Sequence, residues 1–214
     1  MQDNFSDFEI IAVDDGSTDF TGKILGSLTG LRLRVMHHGV NKGKGYSVKM
    51  GVQSAMKDYI LLCDADLSTP LEEVNKLLDY IVRNYDIAIG SRALADSRIT
   101  RRQGLLRSSM GKIFNLLVRL ILFGGIRDTQ CGFKCFKRDA AQKIFARQRV
   151  NRFCFDAEIL YIAKRRGLKI KEVGVEWANR ASSRVAILRD SLDMLADLFR
   201  VRANGRRGLY DVDQ

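Results

Sequence analysis

Two carboxylates one residue apart close an apolar run. Tyr59–Cys63 reads YILLC, and Asp64-Ala65-Asp66 follows directly. Such a run makes a buried strand. Its two carboxylates cannot be buried with it unless a counter-charge is supplied. They belong at a strand end facing a cleft, where a hard divalent cation and a phosphorylated ligand would balance them. Other polar clusters lie at comparable places. Phe8–Val13 runs into Asp14-Asp15-Gly16-Ser17-Thr18-Asp19, and Asp86–Gly90 runs into Ser91-Arg92. Asn41-Lys42-Gly43-Lys44-Gly45-Tyr46 puts glycines beside lysines at a helix start, which suits anion binding. The spacing is not that of a Walker loop. His37 and His38 are adjacent, point in different directions and make a poor metal pair.

The elements that position these clusters follow from the pattern between them. Strands are expected at 8–13, 31–36, 59–63 and 86–90. Helices are expected from Ser17–Asp19 to about 28, from Gly45 to about 57, and from Leu71 to about 84 after Pro70. Alternation of strand and helix predicts an open, mostly parallel central sheet flanked by helices, with the site at the C-terminal strand ends. Beyond it the sequence predicts a polar, Arg-rich loop at 94–104 and a long apolar helix at 105–126. Asp128-Thr129-Gln130-Cys131-Gly132-Phe133-Lys134 then enters a strand at 133–136. Helices at 139–147 and 155–167, a strand at 169–177 and a helix at 185–202 complete the chain.

No interdomain linker or repeat is visible in the 214 residues, so a single domain is expected. Charge divides it. Residues 1–97 carry 10 Lys/Arg against 14 Asp/Glu, and residues 98–214 carry 26 against 11. The first part reads as a donor-binding half, residues 98–202 as an acceptor- and membrane-facing half, and 203–214 as a basic tail. A basic half implies an anionic partner. Nucleic acid is not the expected one, because aromatics do not interleave with the basic clusters and no helix-turn-helix pattern stands out. The segment IFNLLVRLILFGGI, residues 113–126, is too short and too interrupted by Asn115 and Arg119 to span a membrane. It reads as an in-plane interfacial helix or a core helix. Four cysteines without a zinc-type spacing read as reduced core or site-lining residues in a cytosolic setting, and no N-terminal signal peptide is visible.

Taken in order, these clusters resemble the family 2 inverting glycosyltransferases with the GT-A (Rossmann-like) fold. Among these the chain is most similar to the polyprenyl-phosphate group. The Asp128–Lys134 string and Trp177-x-Asn179-Arg180 lean toward its dolichyl-phosphate β-glucosyltransferase branch. Members usually begin with a further strand and a P-x-Y-N-E-like segment, some 25–30 residues before the strand that ends at Asp14. That N-terminal strand is expected to be missing here. Mannose synthases often carry Gln two residues after the Asp-x-Asp; here the residue is Ser68.

The resemblance implies transfer of a hexose from a nucleoside diphosphate sugar to a polyprenyl (dolichyl) phosphate. UDP-glucose is the favoured donor and GDP-mannose the alternative. It implies Mg²⁺ or Mn²⁺ on Asp64 and Asp66, which stabilises the leaving diphosphate. Asp14, Asp15, Lys44, Asp64, Ala65, Asp66 and Arg92 would contact the donor. Lys134, Arg180 and Arg184 would contact phosphate or acceptor. Asp128 and Asp66 are the catalytic candidates, with Asp128 as base or orienting acid. The acceptor phosphate is already an anion, so inversion needs no strong base. With its basic surface and apolar helix, the protein is expected to sit peripherally on an anionic membrane surface, on the cytosolic face.

Overall fold

A computed structural model describes residues 7–28, 32–180 and 187–211. The elements are β1 (Ile10–Asp14), α1 (Thr21–Ser27), β2 (Leu33–His37), α2 (Lys44–Ser54), β3 (Tyr59–Leu62), α3 (Val74–Val82), β4 (Ile87–Ser91) and β5 (Arg98–Arg101). They continue with α4 (Leu105–Ile121), β6 (Lys134–Lys137), α5 (Arg138–Arg147), α6 (Phe155–Arg165), β7 (Ile170–Gly174), β8 (Glu176–Ala178) and α7 (Ile187–Arg206). Each predicted element is present, with its ends displaced by at most five residues. Pro70 precedes a single 3₁₀ turn, Leu71–Glu73, before α3 begins.

The central sheet is mostly parallel in strand direction, with one reversed strand. Its four central strands run in the order β3-β6-β4-β7. β6 lies between β3 and β4 and is antiparallel to both; β4 and β7 are parallel. β1 and β2 form a separate parallel pair. This insertion has a consequence for the site. Because β6 runs backwards, the residues that lead into it arrive at the same sheet edge as the C-terminal ends of β3 and β4. The Asp128–Phe133 loop is thereby delivered beside Asp64 and Arg92.

Two further differences concern the second half. The strand predicted over 169–177 breaks at Val175, so that β8 leaves the central sheet and pairs with β5 inside the segment read as a loop. The segment read as a basic tail is folded structure as far as residue 211. α7 continues through Arg206, and the Tyr210 side chain is fully buried. Tyr210 donates to Glu158 at 2.6 Å.

The larger core packs α2, α4, α5, α6 and α7 around β3, β4 and β6. Every residue from Phe155 to Ala163 in α6 is buried. A helix enclosed on all sides has no solvent face, so its Asp156 and Glu158 must find partners inside. All four cysteines are free; Cys131, Cys135 and Cys154 are buried and Cys63 is half-buried.

Candidate active site

Asp64 stands at the tip of β3, half-buried, with Ala65 and Asp66 exposed in the turn beyond it. The turn closes by a bond from the Leu67 N–H to the Asp64 carbonyl. Leu67 has φ +49°. Left-handed backbone at a branched residue stores strain of the kind found at ligand sites. Asp66 Oδ1 accepts from the Ser68 N–H at 2.9 Å. The Ser68 carbonyl in turn accepts from Ala178 of β8 at 2.8 Å. Ser68 thus fixes the turn through its backbone and is itself buried.

Asp64 is gripped from two sides. A Cβ on Gly132 would lie 2.0 Å from Asp64 Oδ2, so only glycine fits in the loop that faces it. On the other side, Lys44 Nζ lies 2.6 Å from Asp64 Oδ1. Lys44 opens α2, just after Gly43 at φ +101°. Burial works against its ammonium, but the Asp156 and Asp64 carboxylates outweigh this and raise its pKa. A shallow cleft lies here, lined by Cys63, Asp64, Ser68, Thr69, Gly132, Phe133 and Trp177. Burial and the neighbouring carboxylates push the Cys63 thiol up to about 11, so it stays protonated at neutral pH.

Two backbone donors of the glycine–lysine loop are not open to a ligand. The Lys42 and Gly43 N–H groups both donate to the Asp15 carboxylate, at 2.8 Å each. His38 Nδ1 lies 3.2 Å from the same carboxylate, and His37 Nδ1 lies 2.9 Å from Asp14 Oδ2. Burial raises the pKa of Asp15, but the Lys42 N–H, His38 and the Gly43 N–H together outweigh it and leave it lowered. The two histidines that made a poor metal pair each serve one aspartate. Asp14 and Asp15 thereby tie β1, β2 and the entry to α2 together.

Arg92 and Asp128, both candidates from sequence, are partners of each other. Arg92 Nε donates to Asp128 Oδ2 at 2.7 Å and Nη2 donates to Oδ1 at 2.8 Å. Burial alone would raise the Asp128 pKa, but the guanidinium beside it holds it below the usual carboxylate value. The guanidinium also lies 5.4 Å from the centre of the Trp177 ring. The loop is held from behind. Glu172 Oε1 accepts from the Asp128 N–H at 2.8 Å, and Asn115 Oδ1 accepts from the Thr129 N–H at 2.9 Å. Asn115, the polar interruption in the apolar segment, is a support for this loop.

Lys134 has a different place from the one expected of a substrate contact. Its side chain is fully enclosed, 2.5 Å from Asp156 Oδ1, and it also donates to the Cys131 carbonyl. Arg180 is exposed beyond β8. Arg184 lies outside the described residues. Asp156 and Glu172 are not site candidates from sequence; Asn115 enters there only as an interruption of the apolar segment and Trp177 only in the segment that carries the resemblance. The one available signal was Phe155-Asp156-Ala157-Glu158, two acids opening an otherwise apolar helix.

The two carboxylates suit a hard divalent cation in one respect: they are oxygen donors on one turn, beside a thiol that stays protonated. Among the described residues no group of three or more His, Cys, Asp or Glu could hold an ion alone. The remaining ligands would have to come from a phosphorylated substrate and water, which is how Mg²⁺ is commonly held.

The chain belongs to glycosyl transferase family 2, whose model matches residues 1–145. Over 214 residues it is 34% identical to the dolichyl-phosphate β-glucosyltransferase of Dictyostelium discoideum, covering 96% of this chain and 65% of that protein. The Homo sapiens enzyme of that name is 35% identical over 97% of this chain and 67% of its own length. The Saccharomyces cerevisiae one is 33% identical over 96% and 67%. The chain thus spans about two thirds of the length of these relatives. Among solved structures, glucosyl-3-phosphoglycerate synthase from Mycobacterium tuberculosis matches with TM-score 0.63 and 20% identity, over 91% of this chain and 69% of that one. Mannosyl-3-phosphoglycerate synthase from Rubrobacter xylanophilus matches with TM-score 0.63 and 20% identity, over 97% and 66%. The fold is GT-A, an α/β fold with a central sheet flanked by helices.

Proposed function

We propose that this chain transfers a hexose, glucose in the favoured case, from a nucleoside diphosphate sugar to a polyprenyl phosphate with inversion. The observation that carries this reading is the convergence on one sheet edge of Asp64, Lys44, Gly132 and the Arg92–Asp128 pair. It is supported by relatives that bear the name dolichyl-phosphate β-glucosyltransferase. Structures of the mycobacterial synthase hold Mn²⁺ with UDP or UDP-glucose, which supports a divalent ion and a uridine donor here.

Asp64 and Asp66 would hold that ion, which when bound offsets charge on the departing diphosphate. Lys44 contributes a further cation at the same place. Asp128 keeps the Arg92 guanidinium in one orientation beside the cleft, which is a positioning role; its oxygens are committed to Arg92 and to loop N–H groups. The acceptor phosphate attacks the anomeric carbon in line as an anion, and the sugar–diphosphate bond breaks as the new one forms. Arg180 is the candidate contact for that phosphate.

A lipid acceptor requires a surface that meets the membrane. Leu106, Ile113, Leu116 and Leu120 of α4 are exposed, Leu120 by 74%. Their spacing puts them on one side of the helix. α7 packs beside α4 and adds Leu192, exposed by 71%, and Phe199. Lys112 and Arg119 are exposed on α4 among them. Apolar residues rimmed by cations suit an anionic membrane surface, and we assign this face to peripheral contact on the cytosolic side. No described helix is long and apolar enough to cross a membrane.

The test is incubation with radiolabelled UDP-glucose or GDP-mannose, a polyprenyl phosphate, and Mn²⁺ or Mg²⁺. Label in the organic phase from UDP-glucose is the expected result. Label transferred only to a water-soluble saccharide would replace the lipid acceptor by a sugar.

A further inference from the structure

Both carboxylate oxygens of Asp64 have close neighbours. Oδ2 is turned to Gly132, where there is no space for even a methyl group. Oδ1 is taken by Lys44 Nζ at 2.6 Å. Both side chains remain about one third exposed, at 31% and 37%, so solvent and ligands reach the pair. Asp156, whose charge also favours the Lys44 ammonium, has its Oδ1 committed to Lys134 at 2.5 Å inside the core. The Lys44 backbone is fixed at the start of α2, since the preceding Lys42 and Gly43 N–H groups are bonded to Asp15. Its four-carbon stem is the part that can move.

We propose that Lys44 is a resident counter-cation for Asp64, which a nucleoside diphosphate draws away, so that nucleotide and divalent metal bind cooperatively. The inference rests on the reading of the Asp64–Asp66 turn as a metal–diphosphate site. A lysine ammonium and a divalent cation compete for the same oxygen. With metal alone, Lys44 must give up its 2.6 Å contact with Asp64 and stay near a second positive charge. A diphosphate supplies a replacement partner. The ammonium transfers to a phosphate oxygen, Asp64 Oδ1 becomes available, and phosphate oxygens complete the coordination that two carboxylates begin. Linkage is reciprocal: whatever factor the nucleotide adds to metal affinity, the metal adds to nucleotide affinity. Lys44 is in this account a positioning residue that suppresses metal binding in the absence of donor.

The experiment measures Mn²⁺ binding by the paramagnetic resonance signal of the free ion, with and without UDP, and UDP binding by calorimetry with and without Mn²⁺. In wild-type protein Mn²⁺ should bind weakly alone and far more tightly with UDP. Lys44→Met should tighten Mn²⁺ binding without UDP by about tenfold, weaken UDP binding without metal, and cut the coupling factor by about tenfold. Lys44→Arg, which keeps the charge, should retain strong coupling. Lys44→Gln provides the uncharged test in a second side chain, and thermal melting confirms that each variant is folded. If folded Lys44→Met and Lys44→Gln bind Mn²⁺ alone no tighter than wild type, or keep its coupling factor, the inference is overturned while the site reading stands. If wild-type protein binds no Mn²⁺ even with UDP, both fall together.

Discussion

Asp128 receives Arg92 three times: from its backbone N–H at 3.0 Å, from Nε at 2.7 Å and from Nη2 at 2.8 Å. A planar fork meeting a carboxylate in this way has one orientation. The pair joins the end of β4 to the loop that enters β6, so the geometry of one cannot change without the other. Asp128→Asn leaves a largely buried guanidinium short of its counter-charge, and should cost about 3 kcal/mol of stability at neutral pH. Turnover should fall as well, with Arg92 released over Trp177.

The same pair sets an acid limit. Asp128 has a lower pKa folded than unfolded. Its contribution to stability is therefore complete above the unfolded value, about pH 4, and drains away as pH falls through the folded value. The difference in unfolding free energy between wild type and Asp128→Asn should be constant from pH 7 down to about pH 5 and shrink below that. Urea titrations at stepped pH check this. A difference that grows toward low pH contradicts it.

Gly132→Ala places a methyl group 2.0 Å from Asp64 Oδ2. Either the loop or Asp64 must move. The cost in stability should be about 1–3 kcal/mol. UDP-dependent Mn²⁺ binding should fall more than thermal stability does. Asp66→Ala, on the exposed side of the same turn, should leave stability within about 0.5 kcal/mol and remove metal-dependent turnover. Unchanged turnover in that variant would exclude Asp66 from the metal site.

Much of this site was readable from residue types alone. The strand ends at Asp14, Asp64 and Ser91 were marked by apolar runs stopping at acids or glycine, because burial and charge are incompatible. The partnerships were not readable. Nothing in the local sequence tells that Lys134 turns inward to Asp156, since only the enclosure of α6 on every side creates that need. Nor does it tell that Asp15 occupies the N–H groups of the lysine loop, because the two are 27 and 28 residues apart. The reversed β6 was hidden for a related reason: a short apolar run reads the same in either direction.

Tyr210 closes the C-terminal end of the described fold. Tyr210→Phe removes the 2.6 Å bond to Glu158, a carboxylate whose pKa burial already raises. The loss should be about 1–3 kcal/mol, read as a lower melting temperature. Deletion of residues 207–214 should be worse, because the whole ring leaves the core.

Leu116→Asp/Leu120→Asp removes two exposed apolar groups from α4 without touching the core. Sedimentation with vesicles containing anionic lipid should drop by at least about tenfold, while the melting temperature changes little. Salt should weaken the wild-type association, as screening of Lys112 and Arg119 requires. Binding to vesicles that is equal in variant and wild type would move the membrane contact elsewhere.

The reversed strand also dictates an order of assembly. β3 and β4 do not bond to each other; each waits for β6, whose residues pair Tyr59 with Lys137 and Ile87 with Phe136. A chain emerging from the ribosome has therefore synthesised both flanking strands well before the one that joins them. The division at residue 97 marks a change of charge, but not a seam along which the molecule could be cut. A fragment holding every donor-side motif up to Arg92 would expose two strands with open edges and no shared sheet. The cleft exists only where β6 joins β3 to β4 and brings the loop before it beside Asp64.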